Sequence, residues 1–255
     1  MTARRVVGGC GIAAVVALLL GGCGIAAVVA RLPAGEHPDV DFEAAEISSA
    51  RAAKVAELER ELDAVDARYG SGRVGPRWRV DRCEAGQDNF TREDQYAYSC
   101  RMRIVELLPV RAPARAELSR LGEALLPGAC PGGTNVDREL AEHSGRPEQL
   151  VWVSGDCTPG QLGGGEIVKV LPAQPSAEDD SRLEVYLGKC VSSPIAREHC
   201  LAEPIDARSA AASAPPGTAW LAAVSAWDAY YLIPWECDWP ASWLEASCRG
   251  GPVVR

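Results

Sequence analysis

The chain has 255 residues and a formal net charge of −9, with 26 Lys and Arg against 35 Asp and Glu. This acidic balance argues against nucleic-acid binding, which needs basic surface to neutralise phosphates. Hydrophobic residues make up 47% of the chain and exclude a wholly disordered polypeptide. The length suits one medium domain or two small ones.

The N-terminal segment has the pattern of an export signal or a membrane anchor. Residues 1–5 include Arg4 and Arg5, and residues 6–30 carry no charge. As a helix, residues 6–30 would be about 37 Å long, enough to cross a hydrocarbon core of roughly 30 Å. The positive-inside rule then predicts a cytoplasmic tail at 1–5, with everything after residue 30 outside the cytoplasm. The segment repeats one decapeptide, GGCGIAAVVA, at 8–17 and 21–30.

Three fates are open for this segment. It can remain as a transmembrane anchor, so that residues 6–30 bind the lipid membrane. Residues 20–23, Leu-Gly-Gly-Cys, resemble the lipobox of bacterial lipoproteins, which implies lipidation of Cys23. Cleavage after Ala30 is the third fate, because Val28 and Ala30 are small. Each fate predicts an extracytoplasmic body, as a membrane-anchored protein, a lipoprotein or a secreted protein.

The cysteines predict a disulfide framework. Ten are present, and eight of them follow the N-terminal segment. An even number in an exported chain favours disulfides, and short loops cost the least entropy to close. The chain has no C-x2-C motif and only three His, so no metal or other cofactor is expected. The expected pairs are Cys83–Cys100, Cys130–Cys157, Cys190–Cys200 and Cys237–Cys248.

Residues 31–72 are predicted to form a spacer and a helical stalk, with the helix at Asp41–Tyr69. Apolar residues recur at heptad spacing at Val55, Leu58, Leu62, Val65 and Tyr69. A charged stripe, expected to be solvated, comprises Lys54, Glu57, Arg60 and Asp63. Two hypotheses follow for this amphipathic helix. Residues 55–69 form a juxtamembrane coiled coil and a homodimer, or the helix packs on its own domain.

Residues 73–204 predict a disulfide-stapled α+β domain, mainly antiparallel β with two short helices. Alternation of apolar and polar residues predicts strands at Arg77–Cys83, Gln95–Leu107, Gln149–Val153, Glu166–Leu171 and Arg182–Gly188. Leucine spacing and capping residues predict helices at Ala114–Leu126 and Thr134–His143. Residues 172–181 are expected to form a polar loop.

The C-terminal part is expected to be a separate segment. Residues 205–217 have linker composition, and the Trp-rich residues 218–255 follow them. Aromatic rings suit sugars or a protein partner, but Trp is also needed for core volume because the chain has only two Phe. The candidate ligand- or partner-binding residues are Tyr230, Tyr231, Trp235, Trp239 and Trp243.

No catalytic residue is assigned. Ser154-Gly155-Asp156 lacks the frame of a hydrolase nucleophile. His199 and Cys200 are adjacent and point apart. Asp179-Asp180 and Glu184 offer carboxylates for acid–base chemistry, although a solvated loop explains the first two.

The sequence therefore predicts a membrane-anchored extracytoplasmic protein whose ectodomain binds a protein or an envelope glycan without catalysis. The alternatives are a hydrolase-like cell-envelope enzyme with an unrecognised site, and a coiled-coil structural component of an envelope assembly. Three Lys against 23 Arg is typical of high-GC bacterial coding, which points to a bacterial cell envelope.

Overall fold

Helices cover both faces of a mainly antiparallel sheet in the computed structural model, which confirms the α+β class. The residues described are 40–86, 88–89, 92–93, 96–125, 136–143, 145–154, 163–187, 190, 199–234, 237–238, 247–248 and 253–254. The helices are α1 Ala45–Tyr69, α2 Ala114–Leu125, α3 Val136–Glu142, α4 Ala177–Tyr186 and α5 Ala207–Ala211, with a 3-10 turn at Pro147–Gln149. The strands are β1 Val74–Ala85, β2 Asp88–Asn89, β3 Arg92–Glu93, β4 Tyr96–Arg111, β5 Val151–Ser154, β6 Gly163–Pro172, β7 His199–Ala202, β8 Thr218–Pro234, β9 Cys237–Asp238, β10 Ser247–Cys248 and β11 Val253–Val254.

The main sheet has seven strands in the order β5-β6-β8-β4-β1-β7, and β11 also pairs with β8. Its described pairs are antiparallel. The two longest strands, β4 and β8, pair along their length in the middle of the sheet. β7 lies at one edge, beside β1.

The predicted division at 205–217 differs from the structure. α5 occupies residues 207–211 of the predicted linker, and Ala207 and Ala210 are buried against the sheet. β8 begins the predicted separate segment, yet it lies between β4 and β6 and supplies core residues to both faces. β8 therefore belongs to the same sheet as β1 and β4.

α1 is a layer of the domain and not a free stalk. It ends at Tyr69 because Gly70 adopts the left-handed conformation (φ 76°) and its amide donates to the carbonyl of Asp66. Leu58 and Leu62 are buried against the sheet of the same chain. The heptad face at residues 55–69, predicted as a homodimer seam, is thus covered within the molecule. The structure agrees with the other hypothesis, a helix that packs on its own domain.

The two sheet faces carry separate hydrophobic clusters. α1, α2 and α3 cover one face, called here the α1 face, where residues such as Ile104 and Val224 are fully buried. α4 and α5 cover the other face, called here the α4 face, with Val105 and Leu221 beneath them. Gly75 (φ 74°) lets β1 approach α5, since a Cβ added there would lie 2.5 Å from the Cβ of Ala210.

The strand predicted at Arg182–Gly188 is wrong, because α4 occupies residues 177–186. A capping box starts this helix: the Ser176 hydroxyl accepts from the Asp179 amide, and the Asp179 carboxylate accepts from the Ser176 amide. The predicted polar loop at 172–181 therefore contains the first turn of a helix.

The proposed anchor at residues 6–30, with Cys23, lies outside the described residues. Within the described part of the chain, no helix has the length and apolar character needed to cross a bilayer.

Candidate functional site

The predicted aromatic cluster divides between the core and the undescribed part of the chain. Trp235, Trp239 and Trp243 lie outside the described residues. Tyr230 and Tyr231 lie on β8 and are 0% and 5% exposed. Neither tyrosine ring therefore forms a surface for a sugar or a partner.

Tyr230 instead belongs to a buried polar group beneath α1. Its hydroxyl donates to Asp81 Oδ1 (2.8 Å), and Asp81 Oδ2 pairs with Arg51 Nε of α1 at 2.6 Å. Burial and the charge of Asp81 raise the pKa of Tyr230 well above its ordinary value, so the phenol stays protonated as a donor. This group fixes α1 on β1 and β8.

A second ion pair holds the same helix. Lys54 Nζ lies 2.6 Å from Asp228 Oδ2 and 2.8 Å from Glu57 Oε2, and the lysine is only 4% exposed. The expectation that Lys54 belongs to a solvated charged stripe is wrong. Its hydrocarbon stem and its charge both serve the contact between α1 and β8.

Glu106 is a fully buried carboxylate on β4. Its Oε2 accepts from Arg77 Nε (2.8 Å), while no donor among the described residues lies within hydrogen-bond reach of its Oε1. Burial raises the pKa of Glu106 to about 7, although the hydrogen bond from Arg77 acts in the opposite direction. Arg77 also contacts Asp63 of α1 at 2.8 Å, so this group too fastens the helix to the sheet.

Two of the three carboxylates considered for acid–base chemistry, Asp179 and Asp180, have structural roles. Asp180 is 8% exposed; it accepts from the Ala207 amide (2.9 Å) and pairs with Arg208 at 2.9 Å, which joins α4 to α5. Asp179 caps α4. Glu184 lines a cavity beside β7.

That cavity is the candidate functional site. It has a volume of about 380 Å³ and lies between the edge strand β7 and the C-terminal end of α4. Val80, Leu187 and Ile205 supply apolar walls, and the Cys190–Cys200 disulfide forms part of its lining. A concave, mainly apolar site with a few polar groups is the usual form of a binding pocket.

The open edge of β7 runs along this cavity. The Glu203 amide donates to the carbonyl of Arg79 (3.0 Å), and Leu201 lies opposite Asp81. Because hydrogen-bonded and non-hydrogen-bonded pairs alternate in an antiparallel ladder, the amides and carbonyls of Cys200 and Ala202 face away from β1. In the described part of the chain, β7 has no strand on that side.

Exposed apolar and acidic side chains border the same site. Leu201 and Val185 are 56% and 68% exposed, and they are the large exposed hydrophobic residues of the described chain. Leu201 lines the cavity, as does Glu184 of α4, whereas Val185 is not part of its lining. Glu203 adds a second carboxylate to the wall. The site therefore combines free strand edge, apolar surface and negative charge.

Two of the four expected disulfides are confirmed. Cys83–Cys100 joins directly opposed residues of β1 and β4, and Cys190–Cys200 ties residue 190 to β7. The backbone register of β9 and β10 places Cys237 opposite Cys248, and their bond stays a prediction. Cys130 and Cys157 lie outside the described residues.

The described residues contain no group of three His, Cys, Asp or Glu side chains placed to hold a metal ion. Comparison of the chain with protein-family models, curated proteins and solved structures finds no match.

Sequence reasoning missed β7 and its cavity. The strand has four residues and no alternating pattern, and its cavity is assembled from α4, β1 and the chain after β7. The sequence signals in this region were the expected pairing of Cys190 with Cys200 and the carboxylate of Glu184, which was considered for acid–base chemistry.

Proposed function

We propose that the domain is a non-catalytic binding module that captures an extended segment of a partner protein along β7. The open edge of β7 beside an apolar cavity is the observation that carries this proposal. Edge strands with unpaired amides and carbonyls are templates for an added strand, and adjacent pockets give such binding its specificity.

The partner segment would pair with the outward groups of Cys200 and Ala202. One of its apolar side chains would enter the cavity between Val80, Leu187 and Ile205. A Lys or Arg close to that side chain would complement the carboxylates on the cavity wall. A second copy of this chain fits less well, because it would bring the same carboxylates to the contact and each copy carries a net charge of −9.

A protein partner is favoured over an envelope glycan by the positions of the tyrosines. Sugar binding usually needs exposed aromatic faces, and Tyr230 and Tyr231 are buried. The coiled-coil assembly component receives no such support, because the apolar face of α1 is covered by the sheet.

We also propose that this module is held outside the cytoplasm by residues 6–30, as an anchor, or by a lipid on Cys23, with a secreted form after cleavage at Ala30 as the alternative. The two disulfides support an oxidising compartment. Intact-mass analysis of protein from the native host would distinguish the three forms. A full-length chain with every thiol free would contradict this location.

Binding is tested with a displayed library of random peptides selected on the full chain in detergent micelles. We expect enriched sequences with an aliphatic or aromatic residue next to Lys or Arg, and saturable binding of the selected peptide in calorimetry. Ala202→Pro removes one outward amide without removing a hydrogen bond to β1. It should weaken binding by about 3- to 10-fold, the loss expected for one hydrogen bond.

Ala202→Ser keeps the amide at the same position and serves as the matched control. It should bind the peptide as the wild type does. The proposal fails if no sequence family is enriched, or if Ala202→Pro and Ala202→Ser bind equally. Concentration-dependent dimerisation lost only in Ala202→Pro would show that a second copy occupies the edge, which also refutes the proposal.

A further inference from the structure

Three arginines form a cluster on the α4 face of the sheet, called here the arginine cluster: Arg82, Arg101 and Arg103. Arg82 of β1 lies directly opposite Arg101 of β4 in the register, and Arg103 follows two residues later on the same side of β4. The apolar cluster beneath α4 and α5 draws on the other end of these strands, at residues such as Trp78 and Leu107. Arg103, opposite Val80 of that cluster, therefore adjoins it, and Arg82 and Arg101 lie farther along the same face.

Opposed like charges in a sheet are unfavourable. Directly opposed side chains have Cβ atoms about 4.5–5.5 Å apart, so two guanidinium groups there repel each other. The burial of Arg103 lowers its pKa, and the nearby charge of Arg101 lowers it further against the attraction of Glu166. An otherwise acidic chain thus places three positive charges close together on this face.

Two of the three arginines have carboxylate partners. Arg103 Nη2 lies 3.2 Å from Glu166 Oε1, and that oxygen also accepts from the Ser225 hydroxyl. Arg82 Nη2 lies 3.2 Å from Glu84 Oε2.

Arg101 differs from its neighbours. Arg101 donates to the hydroxyl of Tyr96, and its guanidinium carbon lies 5.3 Å from the centroid of that ring. No ion pair to Arg101 is found in the described part of the chain. Its buried Nε has no hydrogen-bond acceptor among the residues that the structure describes. A partly buried guanidinium group without a carboxylate partner is stabilised when an anion binds it.

We infer that the arginine cluster is a binding site for a phosphoryl group, held chiefly between Arg101 and Arg82. A phosphate monoester carries about −1.5 to −2 charges and three acceptor oxygens, which suits two opposed guanidinium forks better than a carboxylate. Trp227 lies opposite Arg103 in the register, and its ring centroid is 6.0 Å from the Arg103 guanidinium carbon, which places an aromatic side chain beside the same site. This inference does not depend on peptide binding at β7.

The phosphoryl group can come from a soluble phosphate or from a lipid headgroup. The full chain is placed in nanodiscs of phosphatidylcholine and titrated with inorganic phosphate, and hydrogen exchange of β1 and β4 is measured. Acetate at matched ionic strength is the control anion. We expect saturable protection around Arg82 and Arg101 with phosphate but not with acetate. A second nanodisc containing phosphatidic acid tests the headgroup as the source.

Arg101→Gln should weaken phosphate binding by about tenfold or more, the loss expected when one charge-assisted pair is removed. Arg111→Gln, the same change at the exposed far end of β4, should leave binding unchanged. Because Arg101→Gln also removes a repulsion, its midpoint of thermal unfolding without phosphate should be no lower than that of the wild type. This readout separates a binding role from a structural one.

Protection by phosphate alone would identify a soluble ligand, and protection in phosphatidic acid nanodiscs would identify a headgroup. Either result supports the inference when Arg101→Gln weakens the protection by about tenfold or more. Absence of protection in both nanodiscs would overturn it. Equal protection with acetate, or in the Arg101→Gln chain, would also overturn it.

Discussion

Replacing Leu62 with Ala tests whether α1 is a layer of the domain or a dimerising stalk. Leu62 is fully buried in the cluster between α1 and the sheet. Removing its isopropyl group should lower the free energy of unfolding by about 3 kcal/mol, from lost transfer energy and an unfilled cavity. For a domain of this size, about 2–4 °C per kcal/mol predicts a fall in Tm of about 6–12 °C.

The measurement is thermal and urea unfolding of the full chain with its disulfides intact. Arg60→Ala, a truncation on the exposed side of the same helix, is the control and should change stability by no more than about 0.5 kcal/mol. The loss in Leu62→Ala should not depend on protein concentration. Equal stability of the two variants, or a Tm that rises with concentration only in the wild type, would refute the docked helix and favour the coiled-coil dimer.

Two further predictions concern the disulfides and the buried carboxylate. Mild reductant under native conditions should open Cys190–Cys200, whose cysteines are partly exposed, before the fully buried Cys83–Cys100. Alkylation followed by peptide mass analysis measures the order, and labelling of both pairs at the same rate would refute it. Because the pKa of Glu106 rises from 4.5 to about 7 on folding, its contribution to stability should be full below pH 4.5 and lost as the pH rises to 7, a change of about 3 kcal/mol at most. Urea unfolding at pH 5 and pH 7 should show most of this fall in the wild type but not in Glu106→Gln. The same change in the free energy of unfolding between the two pH values in both chains would contradict the buried carboxylic acid.

The β1–β4 pair could be predicted from the sequence because two local signals agree there. Alternation marked both strands, and the short loop between Cys83 and Cys100 favoured their disulfide. In the structure these cysteines are direct cross-strand partners and are bonded. A short sequence separation therefore favours both the pairing of the two strands and the disulfide.

β8 was missed because it is buried on both faces. Such a strand reads as a continuous apolar run without alternation. Ala222 and Ala223 face opposite clusters of the core and are both fully buried. Small side chains there allow helices to pack closely on each side of the sheet, but in the sequence they resemble linker and helix composition.

α4 was predicted as a strand because Leu183, Val185 and Leu187 alternate with other residues. In the helix, Leu183 and Leu187 lie one turn apart and are buried, whereas Val185 is 68% exposed. The spacings i+2 and i+4 both fit this segment, and the capping box at Ser176 decides between them. That box has Asp in the position where Glu or Gln is the usual signal.

The candidate site could not be predicted because its parts are distant in the sequence. Val80 and Ile205 meet only after β7 pairs with β1, and the opposition of Arg82 and Arg101 depends on the register of one hairpin. Composition reports a net charge of −9 and hides a local excess of positive charge. Register, which sequence patterns specify poorly for two-sided strands, is what creates both proposed surfaces.

The cavity beside β7 and the arginine cluster lie next to each other on the α4 face of the sheet. Val80 lines the cavity and lies opposite Arg103, while Cys200 lines the cavity and lies opposite Arg82. Both surfaces therefore adjoin on the α4 face. α1 covers the opposite face and leads back toward residues 6–30. Because its buried ion pairs fix α1 to the sheet, a partner can bind the α4 face without displacing the helix that connects the domain to its proposed tether.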